Sequence, residues 1–262
     1  DSVTSALNEF DLTVHLVIHP IMRMARNDRG ELQSVEGVEG SDAPRESVMH
    51  LEIDEQTDET VLQKISDRLE DVLTDVSLSV EDWRAMLTKV AAVLESIRTT
   101  PAGISEEASK EAQDFLGWVH NDHFTFLGYR EYKFSGSGKK AKVDVNTDSQ
   151  LGILRREGTH VFDELRQIGS LSSEVQAFVA QPSLLMVTKA NKQSTVHRSV
   201  HLDTIVVKQF DDDGKVIGQH VFVGLFTSVA YNLSPRLIPL LRMKLTETIK
   251  RAGFAPARHD AK

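Results

Sequence analysis

HLDTIVVKQF (201–210), DDDG (211–214) and KVIGQHVFVGLFTSV (215–229) follow one another without interruption. Two long runs rich in β-branched residues flank an acidic turn that closes on glycine, the pattern of a β-hairpin. Working upstream, LLMVTKA (184–190) and FTFLGYREYKF (124–134) read as further strands. Between them lie the turn GSGKK (136–140), a weak strand around Val143–Val145, the segment LGILR (151–155) and a helix expected near Ser172–Val179. Downstream, SPRLIPLLRMKLTETIKRAGF (234–254) reads as a helix with Leu237, Leu240, Leu241, Leu245 and Ile249 on its apolar stripe and Gly253 as its stop. Residues 123–254 are therefore expected to form a mostly antiparallel sheet with flanking helices, followed by a tail, 255–262.

The first third has a different texture. Val3, Ala6, Leu7 and Phe10 fall at helical spacing, TVHLVIHPIMRMAR (13–26) reads as a strand with a bulge or edge at Pro20, and SVMHLEID (47–54) alternates like a half-buried strand. The Gly-, Asp- and Ser-rich stretch 27–47 is expected to be an exposed loop, mobile at 34–44. Thr57 or Asp58 can cap a helix carrying Val61, Leu62, Ile65, Leu69, Val72 and Leu73. A short strand, DVSLSV (75–80), is expected next, then a helix burying Trp83, Met86, Leu87, Val90, Leu94 and Ile97, and another from Ser105 through Val119. With one strand supplied before Asp1, the order becomes βαββαβ, a ferredoxin-like plan. The chain starts with Asp rather than Met, which fits a piece of a longer polypeptide whose first strand precedes it. The fold class is thus α+β, with a truncated ferredoxin-like module at 1–80, a helical linker at 81–122 and the sheet module at 123–254.

Composition narrows the chemistry. There are 262 residues, 30 Lys+Arg against 39 Asp+Glu, a net charge of -9 and no cysteine. The missing thiols exclude disulfides, thiolate zinc sites and cysteine nucleophiles, and fit a cytoplasmic location. The acidic balance argues against a nucleic-acid partner, and no apolar run reaches the length of a membrane span. Ten histidines invite a metal. However, His15 and His19, or His197 and His201, four apart on strands, would stand about 13 Å apart at roughly 3.3 Å per residue, too far to share an ion. Gly138-Lys139-Lys140 lacks the Ser or Thr of a phosphate loop, and no GxGxxG occurs. Asp211–Asp213 form a solvated turn without calcium-loop spacing. Lys189, Lys192, His197 and Arg198 make a basic patch, either a solvated strand end or a surface for an anion. Phe124, Phe126, Tyr129 and Tyr132 alternate around Gly128, as a sheet core or a pocket lining would.

Seven strings carry a resemblance: VIHPIMRMARNDRGEL (17–32), ESVMHLEID (46–54), VSLSVEDWRAM (76–86), FLGWVHNDHFTFLGYREY (115–132), LGILR (151–155), 188–228 and IPLLRMKLTETIKRAGF (238–254). In this order, over essentially the whole chain, they resemble the N-terminal region of the large bacterial NAD-specific glutamate dehydrogenases. The resemblance implies an ACT-like module at 1–80 and a PAS-like module at 123–254. It also implies a place in a long subunit that oxidises L-glutamate to 2-oxoglutarate with NAD, and as partners the remaining domains of that subunit, a homo-oligomer and an amino-acid effector. No catalytic, NAD-binding or metal residue of that family maps onto these positions, so no cofactor is expected in this segment. An effector carboxylate is expected at the start of the first helix, at Asp1, Ser2, Val3 and Thr4. A second pocket would lie between the long hairpin (Thr204, Val206, Phe222, Gly224) and its covering helices. A scaffold that holds the oligomer together and binds nothing small is the alternative.

Overall fold

A computed structural model describes residues 1–36, 42–136, 142–159 and 183–253. Its contacts divide the chain into two units, Asp1–Leu73 and Thr74–Lys262.

In the first unit, helix α1 (Ser2–Asn8) is followed by β1 (Val14–Ile18) and β2 (Ile21–Arg26). They are one run of sequence interrupted at His19-Pro20, because proline has no N–H for a ladder. The expected loop at 27–47 instead contains β3 (Leu32–Glu36) and β4 (Arg45–Ser47), which flank β2 in an antiparallel sheet of order β3-β2-β4. The Asn27 side chain organises the turn into β3 by accepting from the Arg29 and Glu31 amides at 3.0 Å. β5 (His50–Ile53) pairs with β1. Val3, Leu7, Leu12 and Ile65 form the core of this unit, with Phe10, Leu51, Ile53 and Leu69 packed against it. These are the ACT-like strands of the α+β plan.

Helix α2 runs unbroken from Glu59 to Ser96. Asp58, rather than Thr57, caps it, accepting from the Thr60 amide at 2.8 Å. The strand expected at 75–80 does not exist; those residues are helical. Asp75 and Ser79 are buried there at 2% and 5% exposure, so polar residues occupy inward positions and mask the helical period. Each is satisfied: Asp75 accepts from Thr195 Oγ1 at 2.6 Å and lies 3.4 Å from Arg156, and Ser79 Oγ donates to the Asp75 carbonyl at 2.8 Å.

The second unit holds a five-stranded sheet: β6 (Phe124–Ser135), β7 (Lys142–Gly152), β8 (Leu185–Gln193), β9 (His201–Phe210) and β10 (Val216–Phe226), all antiparallel in the order β7-β6-β10-β9-β8. The hairpin read from 201–229 lies at its centre. Both faces are covered. One packs Phe124, Phe126, Tyr129, Ile205 and Phe222 against α2 and α3 (Glu106–Trp118), and the other gathers Leu127, Tyr132, Leu154, Val206 and Val223. The stretch read as a linker, 81–122, thus supplies Met86, Val90, Phe115 and Leu116 to this core.

Two corrections concern side-chain direction and helix length. Val223 pairs with Gly128 and Gly224 with Phe126, so β6 carries an extra residue at Leu127. That bulge puts Tyr129 on the face of Phe126 and sends Tyr132 to the other. The terminal helix is also shorter than expected: α4 (Ser228–Asn232) and a tight turn at Pro235–Leu237 precede α5, which spans only Leu241–Arg251. Pro239 forces Ile238 out of helical geometry, at φ -92° and ψ 115°. The helix expected near 172–179, the turn beyond Gly136 and the tail 255–262 lie outside the described residues.

Candidate functional site

Across β9, β10 and β6, three side chains far apart in sequence meet on the face that α2 covers. Glu131 stands opposite His220 in the ladder, and Gln209 stands opposite Gly218. A Cβ at Gly218 would overlap the Gln209 carboxamide, so glycine there is what lets Gln209 lie across β10. Gln209 Nε2 is 3.0 Å from Glu131 Oε1 and 2.9 Å from His220 Nε2. An amide nitrogen has two hydrogens, enough to donate to both. His220 Nε2 is then the acceptor, the imidazole proton resides on Nδ1, and it is donated to the Tyr129 hydroxyl 2.7 Å away. Asn146 Nδ2 donates to the second oxygen of Glu131 at 2.8 Å.

The surroundings set the charge states. Burial pushes His220 below its ordinary pKa of 6.5, with Lys89 acting in the same direction and Glu131 opposing. Burial likewise pushes the Tyr129 phenol upward. Burial also opposes ionisation of Glu131, but hydrogen bonds from Gln209 and Asn146, with His220 and Lys133 nearby, outweigh it and hold the carboxyl below its usual range. At neutral pH the network therefore contains one carboxylate, a neutral imidazole and a neutral phenol.

Above this floor is a cleft of about 730 Å³, bounded by Ser96 and Thr99–Ala102 on one side and by Phe210–Asp212 and Ile217 on the other. The turn of the long hairpin helps to hold it, since Gly214, at φ +78°, sits where a Cβ would collide with the Ala102 carbonyl. The volume is in the range of small-molecule sites, about 300–1,000 Å³.

The residues singled out from sequence lie elsewhere. Asp1 is exposed, Ser2 and Thr4 are half-buried, and Val3 is in the core of the first unit, at the start of a helix of seven residues. Thr204, Val206 and Phe222 are fully buried, but Phe222 belongs to one core cluster and Val206 to the other. A Cβ on Gly224 would overlap the Thr125 carbonyl, so side chains and backbone fill that region. In the basic patch, Lys189 pairs with buried Asp203 at 2.7 Å, and Arg198 donates to the Phe226 carbonyl at 2.9 Å while lying over the Tyr231 ring. His15 meets Asp54 at 2.8 Å, His19 bonds Ser47, and His201 Nδ1 donates to the Ala190 carbonyl at 3.0 Å. Among the described residues no group of three or more His, Asp or Glu side chains is placed to hold a metal, and no helix is long and apolar enough to cross a membrane.

Glu131, Gln209 and His220 escaped the sequence reading because no spacing links positions on three strands. A signal was nonetheless present for two of them: Gln209 continues the inward parity of Ile205 and Val207, and His220 that of Phe222.

Comparison with known proteins gives a consistent answer. Residues 1–69 match the family model described as Glutamate dehydrogenase, ACT1 domain. Over the whole chain the sequence is 35% identical to the NAD-specific glutamate dehydrogenase of Halomonas elongata and 32% identical to that of Pseudomonas aeruginosa, spanning 16% of the length of each. It is 24% identical, over 98% of the chain, to the NAD-specific glutamate dehydrogenase of Mycobacterium tuberculosis, spanning 15% of that protein.

Proposed function

The chain matches the N-terminal end of NAD-specific glutamate dehydrogenases over its whole length, and from that premise we propose that it is a regulatory and assembly segment of such an enzyme. In this reading the complete subunit oxidises L-glutamate with NAD and water to 2-oxoglutarate, ammonia and NADH in the cytoplasm, as a homo-oligomer. The catalytic and NAD-binding parts lie in the remaining domains, and this segment contributes an ACT-like and a PAS-like module that respond to an amino-acid effector. The observation that carries the reading is the full-length match at 16% of the relatives' length, headed by an ACT1 domain. The absence of GxGxxG from the sequence supports placing the nucleotide site elsewhere.

Titration of the chain with glutamate, aspartate, arginine and leucine, by calorimetry and thermal melting, tests the sensing role. An effector at 100 times its dissociation constant stabilises the fold that binds it by about 2.7 kcal/mol, a readable shift. No heat and no shift with any of the four would replace sensing with a purely structural scaffold.

The scaffold reading has one observation in its favour. Leu16, Val17, Ile18 and Ile21 of β1 and β2 are 40–59% exposed in succession, an apolar surface of the kind that interfaces cover.

A further inference from the structure

We propose that the cleft over Glu131 is an α-amino-acid site, an assignment that rests on the sensing role above and locates it in the PAS-like module rather than at Asp1–Thr4. The floor offers opposite charges at a fixed separation. Glu131 and Lys133 are two residues apart on β6 and share a face, which puts their Cα atoms about 6.5–7 Å from one another. A zwitterion whose ammonium meets Glu131 and whose carboxylate meets Lys133 spans that interval with the lysine side chain extended toward it. Glu131 is suited to the task because Gln209 and Asn146 hold one hydrogen bond on each of its oxygens, leaving acceptor capacity on both while fixing the carboxylate in place. Pre-organisation of this kind removes part of the ordering cost of binding.

The same features exclude competing ligands. Glu131, Asp211 and Asp212 outnumber Lys133 and Lys208 in the lining, which disfavours a polyanion such as a nucleotide. A transition metal would need the imidazole, and both nitrogens of His220 are already engaged, by Gln209 and Tyr129. Ile97, Pro101 and Ile217 line the remaining volume and give an amino-acid side chain apolar wall to pack on.

The test is calorimetric titration of glutamate, aspartate, arginine and leucine into the chain and into its E131Q and K133M variants. Lys133 is exposed, so K133M keeps the fold even if loss of the Glu131 charge loosens the network, and melting curves check both. The expected result is that an amino acid binding the unaltered chain loses at least tenfold in affinity in each variant. Equal affinity for all three proteins would overturn the cleft assignment and leave amino-acid sensing intact at another place. No binding of any of the four to the unaltered chain would overturn sensing, and the cleft assignment with it.

Discussion

Strands β1 and β9 are built from similar residues and end in opposite environments. VHLVI of β1 has its last four residues exposed, with Val17 and Ile18 at 48% and 50%, whereas LDTIVVK of β9 is buried throughout. β9 lies between β8 and β10 and has a core cluster on each face, while β1 pairs with β5 alone among the described strands. The composition of a strand reports its fitness for a pleated surface; how many neighbours cover it is a property of the whole chain. The central strands of the second unit therefore concentrate the packing energy, and β1 of the first leaves its apolar residues accessible.

The largest effects that can break this contrast are core deletions. Phe222→Ala, in the centre of the aromatic cluster with Phe126 and Tyr129 at 5.8 and 4.8 Å, should lower stability by about 3–5 kcal/mol. Ile18→Ala on β1 should cost about 1 kcal/mol or less, because half of the side chain is already in water. Urea unfolding of both variants checks the pair, and equal losses would erase the distinction between the units.

Glycines sharpen it further. Gly152, at φ +60°, lies where a Cβ would overlap the Leu127 carbonyl, and its amide donates to Asp82 at 2.8 Å. Gly152→Ala should cost more than about 2 kcal/mol, from backbone strain and collision together. Gly30, at φ +78° in the first unit, has open space around it, so Gly30→Ala should cost only the left-handed penalty of about 1–2 kcal/mol. Thermal melting of the two variants gives the ranking.

A third comparison uses pH. The folded pKa of His220 is depressed below 6.5, so the unfolded chain binds more protons between those values. Its contribution is complete above about pH 6.5 and is lost as pH falls through that value toward the folded pKa. In the first unit, Asp54 is held low by the Thr13 amide and His15, so its stabilisation is complete above its ordinary 3.8 and is lost only as pH falls below it. Mild acid should therefore weaken the second unit first, and His220→Gln should flatten the slope of its stability in the range below about pH 6.5. Denaturant midpoints across that range, read with probes in each unit, measure it.

The smallest effect belongs to the surface. Val17→Thr should change stability by no more than about 0.5 kcal/mol, which an unfolding curve can bound.

These contrasts also explain what the sequence made legible. The hairpin at 201–229 was visible because alternation and an Asp-Gly turn agree there. Helix α2 was split in the reading because Asp75 and Ser79 occupy buried positions where apolar residues would have continued the stripe. The strands at 32–36 and 45–47 hid in a polar stretch, since they lie on an exposed sheet whose composition resembles a loop. The cleft was invisible for another reason. Its floor exists only once a bulge at Leu127 brings Tyr129 and Glu131 to the face of Phe126 and Gly218 leaves room for Gln209, and neither event has a local signature.

Glutamate-dependent reduction of NAD, followed for this chain alone and for a complete subunit that contains it, tests the central claim most directly. The account predicts no NADH from the chain alone, NADH from the complete subunit, and a change in the complete subunit's rate when an amino acid that binds the chain is added. NADH formation by the chain alone would contradict it.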